Sequence, residues 1–186
     1  MTDFSFRRGT AMVIGGGDPA VQAIASRFVQ LGSMVTVLGE LPPCPAGIPD
    51  ITPELHTCVL VLRPGTPHPR AVAELVSATL PRLRRTRGSA VVVTSAVRDR
   101  ERDLELDDLV RSVAAAERTH GVRVNRVTVG SLSDELPVED ESPWPPLYGT
   151  VDDVAEAVCF LASDRAGFIS GQHLGVDGGL GLSHAS

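Results

Sequence analysis

The stretch TAMVIGGGDPAVQAIASRF, Thr10 to Phe28, changes its hydrophobic period halfway along. Thr10 to Ile14 is a short continuous apolar run, as in a buried strand, and it ends in three glycines. Val21, Ile24, Ala25 and Phe28 then recur at helical spacing. Strand, tight turn and helix open a βαβ unit, and the start of the helix is a natural anion site because its backbone N–H groups are unpaired. In this chain, however, the glycines run into Asp18 and Pro19. Asp is a preferred N-cap, and Pro is at home at the first helical position. The sequence therefore predicts a helix capped by its own carboxylate, which stabilises by roughly 1 kcal/mol. It also sets a negative charge where a phosphate would dock.

Outward from that unit the same alternation continues. Met34 to Leu38 reads as a second strand, and Gly39 to Pro53 as a Pro- and Gly-rich loop with room for one short edge strand around Ile48 to Ile51. Cys58 to Leu62 is a buried strand, Ala71 to Leu83 a helix, and the β-branched run Ala90 to Thr94 a central strand. Leu106, Leu109, Val110 and Val113 mark the face of the next helix. A strand from Val122 to Val129, a long irregular segment, a helix from Asp152 to Ala162 and a last strand near His173 to Val176 complete the chain. Such alternation implies the α/β class: a doubly wound parallel sheet in three α/β/α layers, with ligands beyond the carboxyl ends of the strands.

The 186 residues suit one domain, residues 1–186, able to bury roughly 70% of its unfolded surface. A net charge of −6 works against binding a phosphate backbone, so no nucleic-acid partner is expected. The absence of a long apolar run and the polar residues Met1 to Arg8 lead to the expectation of a cytoplasmic protein with no membrane contact. Cys44, Cys58 and Cys159 match no zinc spacing, so reduced thiols and no metal are expected. All 17 basic residues are Arg, and Tyr148 is the one tyrosine. Chemistry that needs a lysine is excluded outright.

FLASDRAGFISGQHLGVDGG, Phe160 to Gly179, closely resembles the C-terminal signature of the short-chain dehydrogenases/reductases. GVRVNRVTVG, Gly121 to Gly130, is similar to the strand before their substrate loop, and GSAVVVTS, Gly88 to Ser95, resembles the strand that delivers their active-site serine. The resemblance runs over nearly the whole chain. It implies a Rossmann-like fold, shortened around strands 2 to 4, and NAD(P)-dependent hydride transfer between an alcohol and a carbonyl.

Position by position, the resemblance also implies losses. Of the family's phosphate turn, T-G-x-x-x-G-x-G, Gly15 keeps the first glycine, while Pro19 and Val21 stand at the other two. Only the 20 residues Gly39 to Cys58 occupy the place of the family's helix, strand and helix that hold adenine and ribose. Leu62, Arg63, Pro64 and Gly65 replace its N-N-A-G, and Glu40 is a candidate ribose-binding acid. The Y-x-x-x-K pair falls on Asp99 and Asp103 at the family's spacing. A phenol and an ammonium are thereby exchanged for two carboxylates.

From these losses no cofactor is expected, NAD(P) binding being weak or absent over the degenerate loop Gly15, Gly16, Gly17 and Asp18. Candidate catalytic residues are Ser95, Asp99 and Tyr148; candidates for binding a small molecule are Ser95, Trp144 and Tyr148. Trp144 and Tyr148 lie in residues 131–150, which take the place of the family's substrate loop and read as a lid-like segment. The first functional expectation is a non-redox partner subunit or small-molecule-binding homologue, paired with itself or with a paralogue through the C-terminal segment. The alternatives are a cofactor-independent isomerase, cyclase or dehydratase using the same cleft, and a divergent NAD(P)-dependent oxidoreductase.

Overall fold

A computed structural model describes residues 9–39, 54–63, 68–96, 100–132 and 148–179. Within them the chain alternates β1 (Thr10–Ile14), α1 (Pro19–Gln30), β2 (Met34–Leu38), β3 (Thr57–Leu62), α2 (Pro69–Thr86), β4 (Ser89–Ser95), α3 (Arg100–Glu117), β5 (Arg123–Val129), α4 (Val151–Ala162) and β6 (His173–Val176). The expected edge strand at residues 48–51 and most of the lid-like segment lie outside the described residues.

The strands form one six-stranded, wholly parallel sheet in the order β2-β1-β3-β4-β5-β6. From β1 the sheet grows to β2 on one side and to β3 on the other, so the chain reverses direction at the β1/β3 boundary. In a doubly wound sheet that switch point opens a crevice beyond the carboxyl ends of the strands.

Strand alternation explains why both faces are covered. Val59, Val61, Val91, Val93, Val127 and Val129 face one apolar layer with Val21, Ile24 and Phe28 of α1 and Val154 and Val158 of α4. Met12, Ile14, Cys58, Leu60, Val92 and Val124 face the other, with Val72 and Val76 of α2 and Leu106 and Val110 of α3. Period-2 strands buried on both sides read as continuous apolar runs, which is why the sequence exposes them so plainly. No helix among the described residues is long and apolar enough to cross a membrane.

Helix α2 is longer at both ends than its periodicity predicts. Pro69 begins it, the His68 ring accepts the Arg70 N–H at 3.2 Å, and Arg87 ends it in the left-handed region at φ 54°. Its arginine-rich last turn is anchored. Arg84 donates to both carboxylate oxygens of buried Glu117, at 2.7 and 2.6 Å, tying α2 to the end of α3.

The hydrogen bonds from Arg84 hold the Glu117 carboxyl below its ordinary value of 4.5. A depressed folded-state carboxyl adds stability that is fully present above the unfolded value and is lost as pH falls through the folded one. Glu117→Gln should therefore lower the melting temperature at pH 7, and the gap to wild type should close as the pH is taken below 4.5. A gap independent of pH would show that the pair does not act through charge.

Candidate functional site at the carboxyl edge of the sheet

The turn after β1 is shaped by close packing. A Cβ on Gly15 would lie 2.7 Å from the Val21 side chain and 2.9 Å from Val61, so only glycine lets α1 settle on the sheet at that point. Val21, at the family's third glycine position, is the buried side chain that fills this contact. Gly16 and Gly17 differ, since a Cβ on either would meet nothing within 4 Å. The space above them is open. Asp18 is the N-cap of α1: its Oδ1 accepts the Ala20 N–H at 2.8 Å, with Pro19 as the first helical residue.

Two side chains converge on this turn from neighbouring strands. Arg63, directly after β3, donates through Nε to Ser95 Oγ at 3.1 Å, and the same nitrogen lies 3.8 Å from Asp18 Oδ2. The side chains of Arg63 and Asp18 are each only 5% exposed. Ser95 ends β4 and is half-buried.

Tyr148 returns to the same edge. Gly149 forms a parallel bridge with Leu132, three residues beyond the end of β5, and its N–H bonds the Ser131 carbonyl at 3.2 Å. That bridge sets half-buried Tyr148 at the carboxyl end of β5, next to the strand that carries Ser95. Asp99, Trp144 and Glu40 lie outside the described residues. Buried Cys58 and Cys159 are free thiols pushed up to about 12 by desolvation, which removes them as nucleophiles.

On the opposite face of the sheet, β5 carries a fully buried arginine. Arg126 donates to Thr94 Oγ1 at 3.2 and 3.0 Å, to Asp103 Oδ1 at 2.6 Å and to Asp107 Oδ1 at 2.8 Å. Asp107 Oδ2 lies 3.1 Å from His173 Nδ1, and the other ring nitrogen meets Thr128. Asp103 thus turns from the crevice toward Arg126. Asp103, Asp107 and His173 bring donor atoms within 4.8 Å of one another, but the guanidinium already occupies both carboxylates, so the cluster clamps α3 to the sheet. Sequence reasoning missed this clamp. Its signal was a charged residue at the centre of RVNRVTV, a strand buried on both faces.

A family model described as Enoyl-(Acyl carrier protein) reductase matches residues 69–181. The chain belongs to the short-chain dehydrogenase/reductase superfamily. It is 34% identical over 118 residues to a (-)-isopiperitenol/(-)-carveol dehydrogenase of Mentha piperita, covering 50% of this chain and 44% of that one. It is 38% identical over 98 residues to a xanthoxin dehydrogenase of Arabidopsis thaliana, covering 42% and 34%. The matches therefore span less than half the length of these relatives. The crystal structure of an enoyl-[acyl-carrier-protein] reductase (NADH) from Aquifex aeolicus VF5 superposes with a TM-score of 0.72 at 16% identity over 94% of this chain and 97% of that one, which shows the shared fold.

These likenesses correct one expectation. The absence of a cofactor was expected from the Asp18 turn together with the other losses, whereas these two relatives are named dehydrogenases, the matching family model is described as a reductase, and the solved neighbour's name includes NADH. Asp18 is not an isolated charge. Arg63 stands beside it, contributed by a strand 45 residues further along the chain, and the glycines before it face open space.

Removing Arg126 alone would leave Asp103 and Asp107 facing each other without the guanidinium that bonds both. Arg126→Met should cost about 3–5 kcal/mol in urea unfolding, in the range for breaking a buried ion pair from one side. A cost under about 1 kcal/mol would mean that the clamp is no stronger than a surface pair.

Proposed function

We propose that this chain is a divergent NAD(P)-dependent oxidoreductase that acts on a small carbonyl compound or alcohol. The observation that carries the reading is the open Gly16–Gly17 turn at the β1/β3 switch point, with Arg63 against the Asp18 carboxylate. The names of the relatives and the matching family model support it.

The residues suit the group in outline. The backbone of Gly16 and Gly17 would receive a pyrophosphate, since Pro19 has no N–H and those of Ala20 and Val21 are taken by Asp18, and the nicotinamide would supply the hydride equivalent when bound. Ser95 would hold the substrate oxygen. Tyr148 would serve as the proton donor from the end of β5, in place of the family's tyrosine on the helix that here is α3.

Fluorescence titration should show saturable binding of NADH or NADPH, and failure of both to saturate at millimolar concentration would end this reading. With a carbonyl substrate found by screening, Tyr148→Phe should reduce kcat about a hundredfold, the scale of lost general-acid catalysis. Unchanged turnover would remove Tyr148 from the mechanism.

Self-association through the C-terminal edge is proposed alongside. Phe168 is wholly exposed, and Phe160 and Leu174 are exposed by 37% on α4 and the edge strand β6, more apolar surface than isolated residues need. Light scattering after gel filtration should give a dimer or larger assembly that Phe168→Asp shifts toward monomer. A monomeric wild type would dismiss the assembly without touching the redox reading.

A further inference from the structure

We infer that Arg63 is the positioning cation of this site: it offsets the Asp18 charge at the entrance of α1 and sets the direction of the Ser95 hydroxyl. The inference rests on the dinucleotide reading above and adds a residue to it.

The electrostatic half follows from the burial of both partners. Screening by solvent is weak where Arg63 and Asp18 are each 5% exposed, so each charge strongly affects what the other's neighbourhood accepts. Without Arg63, the helix start would hold a carboxylate with no cation beside it among the described residues, next to the glycines of the turn that face open space. With it, the carboxylate can cap α1 and the turn can still admit an anion. An arginine does this where a lysine would not, because its planar fork can donate sideways through Nε while its charge is spread over the group.

The hydrogen-bonding half follows from a count of protons. Arg63 Nε has one hydrogen, and it goes to Ser95 Oγ at 3.1 Å. Ser95 Oγ is thus an acceptor in that bond, and its own O–H has no acceptor among the described residues. A hydroxyl has one donor and two lone pairs, so the Ser95 proton is left for a ligand at the carboxyl edge. The class of group this recognises is a hydrogen-bond acceptor such as a carbonyl oxygen or its developing oxyanion. Arg63 acts through Ser95 and Asp18.

Calorimetric titration with inorganic pyrophosphate and with NADPH tests the inference on wild type, Arg63→Met, Asp18→Asn and the double variant. Asp18→Asn keeps a good N-cap while removing the charge. Arg63→Met should weaken both probes by about tenfold or more, and adding Asp18→Asn should recover most of the loss, since the repulsion goes with the carboxylate. A merely structural arginine would not be rescued in this way. Arg63→Met binding within about twofold of wild type, or a double variant no better than Arg63→Met, overturns the inference.

If wild type binds neither probe, the redox reading fails, and Arg63 is judged separately by a thermal-stability cycle over the same four proteins. Asp18→Asn should be less damaging, or stabilising, in the Arg63→Met background; additive effects overturn the inference. Arg63→Gln replaces Arg63→Met if the latter does not fold.

Discussion

The close approach of α1 to the sheet over Gly15 is the constraint on which the site depends. With no side chain at that position, Val21 can lie against Val61, and the first turn of the helix comes down at the boundary where the sheet reverses direction. That contact places Gly16, Gly17 and Asp18 in the crevice and brings the ends of β3 and β4 within reach of the helix start. A Cβ there would have to push apart two buried valines and a strand carbonyl, and close-packed interiors yield little.

Around this contact, two arginines organise the two faces of the sheet in different ways. Arg126 is fully enclosed and directs its donors to Thr94, Asp103 and Asp107, so it anchors α3 to the sheet. Arg63 sits at the edge of the sheet, on the face covered by α1 and α4, where its partners are a helix cap and a strand-end serine. A chain without lysine has placed one arginine beneath α3 and another beside the Gly15–Asp18 turn.

The helix that carries the family's tyrosine and lysine is also where the resemblance and the structure part most clearly. Asp103, which the resemblance sets at the lysine's place, bonds an arginine on β5, while the one tyrosine approaches from the segment before α4 through the Leu132–Gly149 bridge. Equivalent chemistry at a family position cannot be assumed from spacing, because loops from distant parts of a Rossmann-like sheet end at the same edge.

Sequence alone determined the class of the fold: apolar runs such as AVVVT and the helical period of Val21, Ile24 and Phe28 are local patterns, and local patterns fix which segments become strands and helices. It also showed the Asp18 cap, since both capping partners lie within two residues of each other. The charge balance around that cap was decided only by the tertiary structure. Arg63 and Ser95 are separated from Asp18 by 45 and 77 residues, and parallel strand pairing alone brings them together. A carboxylate read in one dimension appears as a repulsive charge; in three, its field is the sum over neighbours that the chain supplies from elsewhere.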